Sequence, residues 1–276
     1  MHVQETFDIK AKHIDQLFQI QIALPTSYDR DTNVCFPLMY VTDGHLLFRV
    51  ATTTMLLSQD PDRPNISQSI IVAIGYPDSS KIGLARTRDL TPEIPMGNLY
   101  LKSHADSESA SIEAGGADAL IGFIENELHP LILERYRVAG DTAAIMGHSL
   151  GGLFTFYTFL KQIPLFDRFW LGSPGELPRR QHLLEELTRV LAEGIKKPTR
   201  VFLTLGELER NSSINQLLPE GTLQEPAGDY DAIHSQFSNC QNRNLRFAAK
   251  EFDDETHSSV IPAAFSRAYR FLMRRD

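Results

Sequence analysis

The 276 residues exceed an average domain but suit one α/β domain. With 27 basic against 35 acidic side chains and a net charge of −8, the chain lacks the clustered positive charge that a grip on nucleic acid requires. Hydrophobic residues at 42 % and charged residues at 22 % are enough for a core and argue against wholesale disorder, no apolar run approaches the ~20 residues of a membrane span, and two cysteines, Cys35 and Cys240, make neither a disulfide framework nor a four-cysteine zinc site.

The first eight residues show no basic patch followed by an apolar stretch, so no secretory signal and a cytoplasmic location are expected. Glu5 to Ile9 can pair as a hairpin with Leu17 to Leu24, whose centre alternates apolar and polar residues as in an antiparallel strand with one wet face. Phe36 to Val41 is a compact apolar run ending at Asp43-Gly44, and a helix is expected over Leu46 to Leu57. Ser69 to Ile74 is the next strand. Pro77 to Gly116 resists assignment, being rich in Ser, Pro, Gly and charge. A helix over Ala117 to Tyr136 precedes a strand over Thr142 to Met146. The following helix, Leu150 to Gln162, places Leu150, Leu153, Phe154 and Tyr157 at i, i+3, i+4 and i+7, one buried stripe. Strands over Arg168 to Leu171, Arg200 to Leu205 and Leu245 to Phe252 then alternate with helices over Pro178 to Glu193, Tyr230 to Asn242 and Val260 to Met273. Short continuous apolar runs suit buried parallel strands, and strand–helix alternation implies a sheet covered on both faces. The expected architecture is one α/β domain over residues 1–276. Loop insertions near 77–116 and 207–229 follow strand ends, where open sheets bind ligands.

Gly147-His148-Ser149-Leu150-Gly151-Gly152 has the G-x-S-x-G spacing of a nucleophile elbow, with a strand before it and a helix after it. A serine in a sharp strand-to-helix turn needs small neighbours at −2 and +2, which Gly147 and Gly151 supply. The helix that follows aims the Leu150 N–H at the site as an oxyanion donor. A second donor is expected from the turn after the third strand, Thr42-Asp43-Gly44-His45, with His45 preferred to Gly44. Asp43 is read as bracing that turn.

A serine hydroxyl needs a base, and in this arrangement the chain order is Ser, acid, His. His2, His13, His45, His104, His129 and His148 precede Ser149, while His182 and His234 fall in predicted helices. His257 remains, in the loop between the last strand and the last helix. The acid should follow Val201 to Leu205, where Gly206-Glu207-Leu208-Glu209 offers two carboxylates. Glu209, third after the glycine, is expected to fold back under the sheet edge, with Glu207 facing solvent. Asp253 and Asp254 lie too close in sequence to His257 to approach it from beneath. Arg86 and Arg88 follow the fourth strand at the ligand edge, as substrate-anion binders or as braces for Asp89 and its loop. Trp170, Cys35 and Cys240 read as core, and no motif supports a metal site.

Pro37-Leu38-Met39-Tyr40-Val41-Thr42-Asp43-Gly44, Arg86-Thr87-Arg88-Asp89-Leu90-Thr91-Pro92, Arg135-Tyr136-Arg137 upstream of the Ser149 motif, and Thr256-His257-Ser258-Ser259-Val260-Ile261-Pro262 together resemble the putative-esterase branch of the α/β-hydrolases. That branch holds esterase D-like, feruloyl and ferric-enterobactin esterases, and the likeness is strongest to its IroE-like type. The resemblance spans about residues 15 to 273. It implies an α/β-hydrolase fold, a mostly parallel sheet of about eight strands with helices on both faces. It also implies a serine hydrolase that cleaves small-molecule carboxylic esters through an acyl-enzyme on Ser149, without a cofactor, and the charge and apolar pattern leave no nucleic acid or membrane partner expected. A siderophore (catecholate trilactone) esterase, an acyltransferase using the same site, and a non-catalytic binding protein on this fold are the alternatives. Where many members carry a tryptophan-rich segment, this chain reads Trp170-Leu171-Gly172-Ser173-Pro174-Gly175.

Overall fold

The apolar runs are gathered into one eight-stranded sheet. The computed structural model describes residues 4–30, 32–58, 65–92, 115–174, 180–211 and 226–275. The strands are β1 (Gln4–Lys10), β2 (Leu17–Ala23), β3 (Phe36–Val41), β4 (Ile70–Gly75), β5 (Val138–His148), β6 (Phe166–Gly172), β7 (Thr199–Gly206) and β8 (Leu245–Phe252). Their spatial order is β1-β2-β4-β3-β5-β6-β7-β8. β1 and β2 form the expected antiparallel hairpin, β2 pairs antiparallel with β4, and every pair from β4 to β8 is parallel. This is the α/β-hydrolase sheet.

The helices are α1 (Gly44–Leu57), α2 (Ile82–Leu90), α3 (Ala117–Phe123), α4 (His129–Arg135), α5 (Leu150–Leu160), α6 (Arg180–Glu193), α7 (Pro226–Asn239) and α8 (Ile261–Leu272). A π-helical turn, Ile124–Leu128, joins α3 to α4, so the expected single helix is present with one irregular turn inside it. Helices α1 and α8 cover one face, burying Leu47, Phe48, Phe265 and Tyr269 against Met39, Met146 and Trp170. The other face buries Tyr40, Ile145, Phe169 and Leu203 under α3, α5, α6 and α7. In α8, Ile261, Ala264, Phe265, Ala268, Tyr269 and Leu272 are buried at helical spacing, a one-sided stripe.

Four sequence expectations need correction. The stripe assigned to α5 is too narrow: the helix is buried on almost every side, and Leu150 and Tyr157 are its less buried residues. It is clamped between β5, β6 and three other helices, which leaves it no wet face. β8 is parallel as expected but half-buried, because it is an edge strand that carries the charged residues Arg246, Lys250 and Glu251. Cys35 is exposed and Cys240 half-exposed, both in connecting segments outside the elements. Within 77–116, where no element was assigned, a 3-10 turn (Ser79–Lys81) leads into α2. The rest of the two expected loop insertions, 93–114 and 212–225, lies outside the described residues. No described helix is long and apolar enough to cross a membrane.

Phe159 of α5 is fully buried, edge-on to Phe169 of β6 and Phe237 of α7. Phe159→Ala should cost about 3–5 kcal/mol in urea unfolding. Leu133→Ala, at a residue 48 % exposed, should stay within about 0.5 kcal/mol of wild type. Equal effects at the two positions would contradict this placement of the core.

Candidate active site

β5 ends at His148, and Ser149 turns the chain into α5 with φ 60° and ψ −123°, a conformation that side-chain-bearing residues rarely adopt. Glycines make the turn sterically possible. A Cβ on Gly147 would stand 2.2 Å from the Gly151 carbonyl oxygen and 2.7 Å from Thr42 Oγ1. One on Gly151 would stand 2.2 Å from Thr42 Oγ1, and one on Gly152 would stand 2.3 Å from the Gly172 carbonyl oxygen. The Ser149 N–H donates to that same Gly172 carbonyl at 2.9 Å, tying the elbow to β6. Leu150 opens α5, so its N–H has no acceptor within the helix.

β3 runs beside β5, and the chain leaves it through Asp43, in left-handed conformation (φ 51°), into α1. The carbonyl of Asp43 accepts from the N–H groups of Leu46 and Leu47, leaving those of Gly44 and His45 at the helix N-terminus without an intrahelical partner. Gly44 and His45 therefore lie at the start of α1, beyond the end of the strand that adjoins the elbow. Arg86 of α2 grips the Asp43 carboxylate with Nε and Nη2 at 2.8 and 2.9 Å. Arg88 does the same to the neighbouring Asp89, at 2.6 and 3.0 Å, and reaches Gln16 at 2.8 Å. Both carboxylates are buried, with side chains 2 and 1 % exposed. Of the two readings of Arg86 and Arg88, bracing is the one this geometry describes. These hydrogen bonds are made within the fold.

β7 ends at Gly206 and a 3-10 turn, Glu207–Asn211, follows. The turn buries Glu209 and leaves Glu207 exposed, as the glycine offset predicted. Glu209 Oε2 lies 2.6 Å from His257 Nδ1, while Oε1 accepts from the Gly206 N–H and from Ser173 Oγ, each at 2.7 Å. Burial opposes the charge on Glu209, but these three hydrogen bonds outweigh it and hold its carboxyl below the usual carboxylate range. Glu207 instead accepts from the Asp254 N–H at 2.8 Å, so it steadies the loop that carries His257.

Two residues were missed. Ser173, left-handed at φ 38° and buried, holds Glu209; its only signal was its place directly after β6. His148 was set aside by chain order, yet its ring lies 4.6 Å from that of His257, and its Nε2 is 2.8 Å from the His257 carbonyl oxygen. His257 thus stands beside the residue that precedes Ser149, although no hydrogen bond joins it to Ser149 Oγ in this structure. Burial, with the nearby His257 second, pushes the His148 imidazole down to about 4. No cluster of three or more His, Cys, Asp or Glu side chains suited to a metal occurs among the described residues.

Arg86→Gln would leave the buried Asp43 carboxylate without its bidentate partner, at a cost of about 3–5 kcal/mol in urea unfolding. Unchanged stability with a raised KM would make Arg86 a substrate contact instead. His148 gives a pH dependence. Its folded pKa lies below that of the unfolded chain, so between about 6.5 and 4 only the unfolded chain takes up this proton. Stability should fall as pH drops through that window, by up to about 1.4 kcal/mol per pH unit from this group, and the contribution is fully present above it. Urea midpoints at several pH values should show a shallower decline for His148→Gln, and equal slopes would remove His148 as the source.

The model of the family described as "Putative esterase" matches residues 11–269. The ferri-bacillibactin esterase BesA of Bacillus subtilis is 28 % identical over 244 residues, covering 87 % of this chain and 80 % of that protein. A siderophore enterobactin esterase of Emericella nidulans is 26 % identical over 277 residues, covering 94 % and 90 %. Among solved structures, the BES protein from Bacillus cereus superposes with a TM-score of 0.81 at 25 % identity, covering 98 % of this chain and 96 % of that one. The chain belongs to the "Putative esterase" family and is a carboxylic ester hydrolase on the α/β-hydrolase fold.

Proposed function

We propose that the chain hydrolyses the ester bonds of a siderophore, with Ser149 as nucleophile, His257 as general base and Glu209 as the acid that orients it. The N–H of Leu150 and that of His45 or Gly44 form the oxyanion hole. The observation that carries the site reading is the 2.6 Å contact between Glu209 Oε2 and His257 Nδ1. An ionised carboxylate only accepts, so Nδ1 carries the proton and Nε2 keeps its lone pair for a serine hydroxyl.

His257 Nε2 takes the Ser149 proton as Oγ adds to the ester carbonyl, and Glu209 stabilises the imidazolium that forms. The N–H groups at the starts of α5 and α1 stabilise the negative oxygen of the tetrahedral intermediate. The imidazolium then gives its proton to the leaving alcohol, and the C–O bond breaks to leave an acyl-serine. Water, deprotonated by the same imidazole, adds to the acyl carbon; the bond from that carbon to Oγ then breaks, the imidazolium returns the proton to Oγ, and the acid and free Ser149 are released.

The substrate class rests on the two siderophore esterases that resemble this chain over most of their lengths. A feature of the ligand edge agrees with it. Leu46 on α1, Leu84 on α2 and Leu208 in the 3-10 turn after β7 are 46, 48 and 41 % exposed, on three segments that leave carboxyl ends of strands. Apolar surface there suits an ester with aromatic or other apolar bulk.

Ser149→Ala should lower kcat/KM by about 10³-fold or more while the protein stays folded, and His257→Ala should cost a similar factor. Glu209→Gln should cost less, and Glu207→Gln should stay near wild type. A damaging Glu207→Gln with a silent Glu209→Gln would reverse the choice of acid. In competition, enterobactin should exceed p-nitrophenyl acetate in kcat/KM. The opposite order would remove the siderophore reading and leave the esterase intact.

A further inference from the structure

His148 stands between Gly147 and Ser149, buried, with its ring stacked against that of Trp170. Its Nε2 lies 2.8 Å from the backbone oxygen of His257. A carbonyl oxygen only accepts, so Nε2 carries the proton and donates. In a neutral imidazole the other nitrogen is then an acceptor, and Nδ1 is buried with no hydrogen-bond partner. A buried polar atom without a partner is costly, so the ring is not kept there by a satisfied network of its own. Its one hydrogen bond goes to the main chain of His257.

Other contacts hold the flanks of that loop. The Leu208 N–H donates to the Glu255 carbonyl at 3.0 Å, the Asp254 N–H to Glu207 at 2.8 Å, and the Val260 N–H to the Thr256 carbonyl at 3.1 Å. A Cβ on Gly206 would stand 2.4 Å from the Glu255 carbonyl oxygen, so β7 also packs directly under the loop. None of these contacts touches the peptide carbonyl of His257 itself. Among the described residues His148 is the one that does.

We propose that His148 is a positioning residue for His257: its Nε2–H anchors the His257 carbonyl and sets the imidazole between Glu209 and Ser149. The proposal rests on the reading of His257 as the base. It gives the residue between Gly147 and Ser149 a task that the elbow alone does not require. The strand end that aims the nucleophile also fixes the backbone of its base, so the two partners share one rigid reference. Misplacement of a catalytic group by about 1 Å costs on the order of 10²-fold in rate, which sets the expected effect.

The test compares His148→Phe, His148→Gln, His257→Ala and wild type, with p-nitrophenyl acetate kinetics and proton NMR of the hydrogen bond between His257 and Glu209. His148→Phe should lower kcat by about 10²-fold with little change in KM, and should broaden or shift the far-downfield Nδ1 proton of His257. His148→Gln keeps an N–H donor and should recover most of the kcat and the resonance. Near wild-type kcat and an unchanged resonance in His148→Phe would overturn the proposal, as would equal damage from Phe and Gln. Should the Phe variant not fold, nitrogen-15 shifts of the unaltered protein decide: a proton on Nε2 of His148 is expected, and one on Nδ1 overturns the proposal. The two readings fail separately. Activity in His257→Ala removes the base assignment, whereas an inactive His257→Ala beside a near wild-type His148→Phe removes the positioning role alone.

Discussion

The strained turn at Ser149 is the constraint on which the rest of the site depends. A serine at φ 60° costs on the order of 1–3 kcal/mol and persists only where its surroundings over-determine it. Here they do so from three sides. Gly147 and Gly151 meet each other and Thr42 at distances that no side chain could share, and Gly152 meets the backbone of Gly172. Thr42, directly after β3 beside the elbow, enters that packing, and Asp43 then launches α1. Ser149 and the backbone N–H groups proposed for the oxyanion hole are therefore not independent features. Moving β3 relative to β5 would disturb both.

Charge is confined at this edge with unusual care for an acidic chain. Asp43, Asp89 and Glu209 are all buried carboxylates, and each is answered by at least two donors. Removing a partner from such a group costs more than forming the pair gains, which makes the arrangement brittle to single substitutions. For Glu209 the cost has a return. A carboxylate held ionised at 2.6 Å from His257 fixes which ring nitrogen carries the proton.

Much of this was legible in the sequence because it is written in local pattern. Short apolar runs between turn residues marked six of the strands, alternation marked the N-terminal hairpin, and glycine spacing marked the elbow. The offset of Glu209 from Gly206 separated it from Glu207 because a chain leaving a strand at glycine turns back on itself. The signal failed where burial is polar or comes from neighbours distant in sequence. α2 went unread because Arg86, Arg88 and Asp89 break its apolar pattern, yet the Arg86–Asp43 ion pair and the Arg88–Gln16 hydrogen bond, to residues just outside β3 and β2, tie it to the sheet. α5 was read as one-sided because periodicity cannot report how many elements converge on a helix. Ser173 and His148 act through contacts to Glu209 and His257, far along the chain, and chain order alone discarded His148.

Covalent chemistry at one oxygen is the central claim, and acid-quenched intact-mass spectrometry during turnover of a slow ester addresses it most directly. The account predicts a transient adduct of one acyl group, mapped by peptide sequencing to Ser149, that appears and decays at rates consistent with kcat. Turnover with no adduct in quenched wild-type enzyme, or an adduct on another residue that forms and decays at the catalytic rate, would contradict it.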